Sequence, residues 1–193
     1  MLPHGRRRAQ AAALAIGVAL LTSGCVSMAV DEIPASIETL QVLRAAEIPA
    51  LALGPFTVAK GVDARSINIR GSTMHPVKGS NFAVFLGETF ATELRAAGKF
   101  DPAAPLTLAG ELTESRASEN LSSGTGSLGA TLIVLRGGKP VFAKAYRVET
   151  RWKSDFIGAI AIPDAFRNYN ALYAALVRQA LSDPDMIAAL KRG

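Results

Sequence analysis

The chain has 193 residues, of which 49% are apolar and 19% charged, and its formal net charge is +5. That length fits one domain, and the apolar fraction excludes wholesale disorder. Setting aside Arg6, Arg7 and Arg8 leaves 18 of the 21 basic residues against 16 acids, or +2, so charge does not point to nucleic acid.

The chain opens on a short basic segment, Met1 to Arg8, followed by an apolar run from Ala11 to Leu21. Leu21-Thr22-Ser23-Gly24-Cys25 then ends the run on small residues. This is the layout of a secretory signal, with residues 1–24 expected to be removed. Cys25 is the only cysteine, so no intramolecular disulfide can form, and an exported lone thiol calls for another explanation. The segment resembles a bacterial lipobox, in which cleavage follows Gly24 and Cys25 becomes the lipidated first residue. Thr22 is a mild departure, since Leu is more usual three positions before the cysteine.

The resemblance implies a diacylglyceryl group on the thiol and a further acyl chain, such as palmitate, on the new amino terminus. One chain holds marginally, at about 0.8 kcal/mol per buried CH₂, whereas two or three anchor stably. Val26 stands where an Asp commonly signals inner-membrane retention, which favours the outer membrane with the domain facing the periplasm. The competing reading is an uncleaved span over Ala9 to Val30. That stretch is long enough, but Gln10, Thr22, Ser23, Gly24 and Ser27 interrupt it.

Residues 25–35 read as a lipidated tether and 36–193 as a single α+β domain. Ile37, Leu40 and Leu43 predict a helix over Ser36 to Ala46, with Ser36 as its N-cap. Leu51 to Val58 reads as a strand, with Gly54-Pro55 marking a bulge or an edge. Gly61 to Gly79 is turn-rich, with a short strand at Ser66 to Arg70. Phe82, Phe85, Leu86, Phe90 and Leu94 form one apolar stripe and predict a helix over Asn81 to Ala97, with Ser80 as cap and Gly98 as stop.

Leu106, Leu108 and Leu112 predict a strand, and Ser115 to Gly126 reads as a loop. Leu128 to Leu135 and Val141 to Trp152 form a hairpin across Gly137-Gly138. In the second strand Phe142, Tyr146, Val148 and Trp152 share one face, while Arg147, Glu149 and Arg151 share the other. A final long helix is expected over Asp164 to Leu181, then a short one after Pro184. The fold class is α+β: a small, mostly antiparallel sheet with helices packed on one face.

Chemistry-bearing constellations are sparse. His4 falls in the signal, and His75 sits in a turn-rich loop without a second imidazole or thiol, so no zinc site and no cofactor is expected. Gly124-Thr125-Gly126-Ser127-Leu128-Gly129 fits G-x-G-x-x-G literally. The motif binds dinucleotides only where it leaves a strand and opens a helix, and here a strand follows. It reads as a flexible loop. Glu111, Glu114, Glu119, Asp155 and Asp164 are not paired by their spacing, although a fold could bring two of them together for hydrolysis. No catalytic set is recognisable, and a non-enzymatic role is expected.

The segment from Trp152 to Pro163 is unusual, because it holds the only Trp and then an uncharged Gly/Ala/Ile run between Asp155 and Asp164. One reading is a buried connection that caps the core. The other is an exposed apolar lip formed by Trp152, Phe156, Ile157, Ile160 and Ile162, which would meet lipid or a partner.

Several stretches together carry a resemblance. They are Cys25 with its signal, Leu43 to Ala46, Gly54-Pro55-Phe56, Leu94 to Gly98, Trp152-x-Ser154-x-Phe156-x-Gly158 to Pro163, and Ser182-Asp183-Pro184. On these the chain resembles a group of small, functionally uncharacterised proteobacterial lipoproteins. More distantly, its element order is similar to envelope-transport accessory lipoproteins of the outer membrane, such as those of lipopolysaccharide transport and of lipid-importing ABC systems. The resemblance implies a lipid-anchored protein that binds an envelope protein, a lipid or a glycan, in transport or assembly. An envelope hydrolase with a carboxylate site and a cell-wall-binding structural module stand as alternatives.

Overall fold

The computed structural model describes residues 27–30, 32–76 and 80–192. The elements run β1 (Ser27–Val30), α1 (Ile37–Ala45), β2 (Ala52–Val58), β3 (Ile67–Ile69), β4 (Ser72–Pro76) and α2 (Phe82–Ala96). They continue with β5 (Leu106–Glu119), β6 (Ser123–Arg136), β7 (Lys139–Lys153), α3 (Gly158–Leu181) and α4 (Pro184–Lys191). Two sheets form, in the orders β2-β5-β6-β7 and β1-β4-β3. β2 lies parallel to β5, while β5, β6 and β7 form an antiparallel meander. The architecture is α+β, as expected.

Alternation along the strands decides which face is covered. Leu106, Leu108 and Leu112 of β5, Leu128, Ala130, Leu132 and Val134 of β6, and Tyr146 of β7 point into the core. α2 covers β2 and β5, and α3 covers β6 and β7. Phe82 and Phe85 of α2 meet Tyr169 and Tyr173 of α3 edge-on or tilted, with ring centroids 4.9–6.0 Å apart. Such aromatic pairs contribute about 0.5–1.5 kcal/mol beyond their area. Phe56 slots between α2 and β5, where a Cβ on Gly87 or Gly110 would lie 2.8 or 2.7 Å from its ring. Ile67, Ile69 and Met74 of the small sheet join the same hydrophobic cluster, so both sheets share one core.

Several expectations hold at residue level. Ser36 caps α1, its hydroxyl accepting from the Thr39 amide at 3.3 Å. The register of β2 against β5 shifts between Leu53 and Phe56, and β2 is an edge strand, as Gly54-Pro55 required. Gly98 ends α2 with φ of 68°. The cap of α2 is Asn81 rather than Ser80: its Oδ1 accepts from the amides of Ala83 and Val84 at 2.9 and 3.1 Å.

Several readings are corrected. Ser115 to Gly126 is not a loop: β5 and β6 extend through it and turn only at Asn120–Ser122. The G-x-G-x-x-G segment lies wholly within β6 and is therefore neither a flexible loop nor a phosphate cradle. α3 begins at Gly158, not Asp164, and takes Pro163 into its second turn. At this position, past the first turn, the proline forfeits the backbone bond that its N–H would have donated to the Ala159 carbonyl. Within the stretch read as a tether, Ser27–Val30 forms a strand against β4. β4 itself arises in a region read as turns, and exposed His75 lies on it.

Candidate functional site

Two surfaces stand out: the open face of the large sheet, and the end of the sheet where β5 turns into β6. The open face is built by cross-strand rows. One row runs Glu114–Gly129–Arg147, and because Gly129 has no side chain the flanking charges meet across the central strand. Arg147 Nε and Nη2 donate to the two oxygens of Glu114 at 2.6 and 3.1 Å. Ser127 Oγ donates to the same carboxylate at 2.7 Å. Arg147 Nη1 also lies 2.5 Å from Glu149. These bonds, the Arg147 one foremost, hold the Glu114 carboxyl below its ordinary pKa. A carboxylate locked this way is a poor general acid. With Arg116, Arg151 and Asp63 these groups line an open cleft of about 570 Å³ between the large sheet and the β3 region.

A bulge aligns this face. The register shifts between Leu112 and Glu114, so Leu112 and Ser115 both point inward although they are three apart. Ser115 Oγ and Tyr169 OH are 2.7 Å apart in the core, and Tyr169 OH and Tyr173 OH are 2.8 Å apart. Burial pushes the Tyr169 hydroxyl up to about 12 and Tyr173 well above 10. Both remain neutral and act as structural hydrogen-bonding groups.

The end of the sheet gathers the lip residues. Trp152 is half-buried and lies flat on Gly124, where a Cβ would fall 2.0 Å from the indole. Gly126 is small for a related reason: a Cβ there would meet Leu172 at 3.1 Å. Thus the first two glycines of the apparent motif seat Trp152 and α3, while the third lets Glu114 reach Arg147. Ser154 donates to Glu119 beside this platform. Ile162 is half-buried, whereas Phe156, Ile157 and Ile160 are 77%, 56% and 49% exposed. The segment is therefore neither wholly buried nor wholly free: Trp152 and Ile162 pack, and the three residues between them face solvent.

The sequence reading missed two members of this end. Leu121, at the tip of the β5–β6 turn, is 63% exposed. A Leu at a turn centre, where polar residues are the rule, is the signal that would have found it. The other is Arg70. Asn120 Oδ1 accepts from the amides of Ser122 and Ser123, which leaves the Asn120 carbonyl free to face outward. Arg70 Nη2 donates to that carbonyl at 3.2 Å and Nη1 to the Asp155 carbonyl at 3.0 Å. Arg70 sits with φ of 50° beside Gly71 at 78°, the two left-handed residues of the β3–β4 turn. It clamps the hairpin tip to the start of the lip, and Ser154 N–H to Ser122 O at 3.0 Å adds a second tie.

Gly24 and Cys25 lie outside the described residues, as does most of the Ala9–Val30 stretch. Among the described residues no helix is long and apolar enough to cross a membrane, and no group of three metal-ligating side chains converges.

No protein-family model matches the chain, and no curated protein matches it. Among solved structures it is similar to a Xanthomonas campestris protein of family DUF330. That match has 12% identity and a TM-score of 0.52 and covers 86% of this chain and 95% of that one. It is also matched by a candidate lipoprotein from Caulobacter crescentus at 13% identity and TM-score 0.46, over 80% of this chain and 97% of that one. At these identities the first likeness shows the fold alone: the α+β arrangement of this chain recurs in the DUF330 protein.

Proposed function

We propose that this chain is a lipid-anchored envelope protein that works by binding rather than by chemistry, as an accessory in transport or assembly at the outer membrane, with its domain facing the periplasm. The observation that carries the reading is the Leu21 to Cys25 segment standing immediately before β1, so that the folded chain starts two residues after the expected lipid attachment point. The open face supports binding over acid–base catalysis, because its central carboxylate is tied to Arg147 and Ser127. The partner in this reading is an envelope protein, or a lipid or glycan seated against the cleft.

The test is Cys25→Ala. The variant should accumulate as an unlipidated precursor of higher mass and be lost from the outer-membrane fraction; normal maturation and fractionation would contradict the anchor. The accessory role is checked by affinity capture of the lipidated protein from detergent-solubilised envelopes. Recovery of a stoichiometric partner is expected, and capture of the bait alone would count against it.

A further inference from the structure

We infer that the end of the domain formed by Leu121, Phe156, Ile157 and Ile160 rests on the lipid surface that holds the anchor. This rests on the lipidation of Cys25 proposed above, and adds to it an orientation and a contact surface.

Six large apolar residues are exposed among the described residues, and four of them lie at this one end. Their backbones are drawn together by the Arg70 clamp and by the Ser154–Ser122 bond. The other two, Ile37 and Val141, lie apart from it: Val141 follows the β6–β7 turn at the opposite end of the strands. The first turns of α3 overhang the sheet. From Gly158 to Leu172 the helix rises about 21 Å, yet Leu172 packs by Gly126, only about 10 Å along β6 from Ser123. Ile157 and Ile160 thus project past the sheet end. Asp155 Oδ1 accepts from the Ile157 amide at 2.7 Å, which fixes the turn into the helix.

The chain enters the domain from the same end. β1 pairs parallel with β4, Ser27 opposite Thr73 and Val30 opposite Pro76, so it runs away from the Arg70–Gly71 turn. Arg70, which starts that turn, is the residue bonded to Asn120 and Asp155. Only Val26 separates Cys25 from Ser27, a reach of at most about 7 Å. An acylated Cys25 therefore has no slack to hold the domain clear of the bilayer, and the end drawn down carries the exposed Phe and Ile side chains. Apolar groups buried in the headgroup and acyl boundary match the chemistry of an interfacial contact.

The test uses the full lipidated protein in vesicles of phosphatidylethanolamine and phosphatidylglycerol. Because Cys25 is blocked, single cysteines at Phe156→Cys, Ile160→Cys and Val141→Cys take one environment-sensitive fluorophore each. Labels at 156 and 160 should shift to the blue and be quenched by a lipid-borne nitroxide several-fold more than the label at 141. Equal quenching at all three positions would overturn the inference. So would a blue shift at 156 without lipid quenching that grows with the protein-to-lipid ratio, because a second copy would then cover the patch. Intact mass separates the two levels. An acylated protein whose position 156 escapes the lipid quencher overturns this inference alone, whereas absence of acyl chains on Cys25 overturns the anchor as well.

Discussion

Tyr169 and Tyr173 place two hydroxyls inside an otherwise apolar core, and Ser115 completes the chain of hydrogen bonds. A buried hydroxyl left without a partner costs about 1–3 kcal/mol, so Tyr169→Phe should lower stability by that amount in a denaturant titration. An unchanged midpoint would show that the network contributes nothing. Glu93 is the opposite case. It is buried in α2, with Oε1 accepting from the Ser36 amide at 2.9 Å while Oε2 has no partner. Burial raises its pKa above 4.5, outweighing that hydrogen bond. The folded state thus holds the proton more tightly than the unfolded chain. The stability Glu93 contributes is complete below 4.5 and is lost as pH rises through its raised value. Glu93→Gln keeps an acceptor for Ser36 and removes the charge. It should raise the thermal midpoint at neutral pH and flatten this part of the pH profile; a lower midpoint at neutral pH would contradict the argument.

At the scale of elements, legibility in the sequence followed side-chain size. α2 and the β6–β7 hairpin were readable because Phe82, Phe85, Phe90 and Leu94, or Phe142, Tyr146, Val148 and Trp152, repeat at the period of their element. The outer half of the β5–β6 hairpin was not. Ser115, Ala117, Gly124 and Gly126 form no apolar stripe, and the two glycines are small because Trp152 and α3 lie over them. Glycine in a strand often marks such close approach, but the neighbour that demands it lies elsewhere in the chain. The same hidden neighbour explains why the lip was half legible: its composition marked it, and only the fold separates packed Trp152 from exposed Phe156. The glycine platform is directly testable. Gly124→Val would drive a side chain into the Trp152 ring and should cost about 1–3 kcal/mol as overpacking. Trp152 is the only tryptophan, so its emission should move to the red as the ring is displaced. Retained emission and stability would mean that the platform is not needed.

For the molecule as a whole, one core supports a covered face, an open charged face and an apolar end. The α+β class could be reached from the sequence, because alternating strands and striped helices force helices onto one side of a sheet. The small sheet could not. Its short strands lie in a turn-rich region and beside a supposed tether, and they exist through pairing that no local pattern announces. That pairing changes the meaning of Cys25, since it brings the folded chain to within two residues of the expected anchor. The proposed anchoring stands on that cysteine. Its most direct test is the mass of the N-terminal peptide of the protein isolated from membranes. The expected mass is that of a chain that begins at Cys25 and carries a diacylglyceryl group with a further acyl chain on the amino terminus. A chain that retains residues 1–24, or begins elsewhere with an unmodified Cys25 thiol, would contradict it.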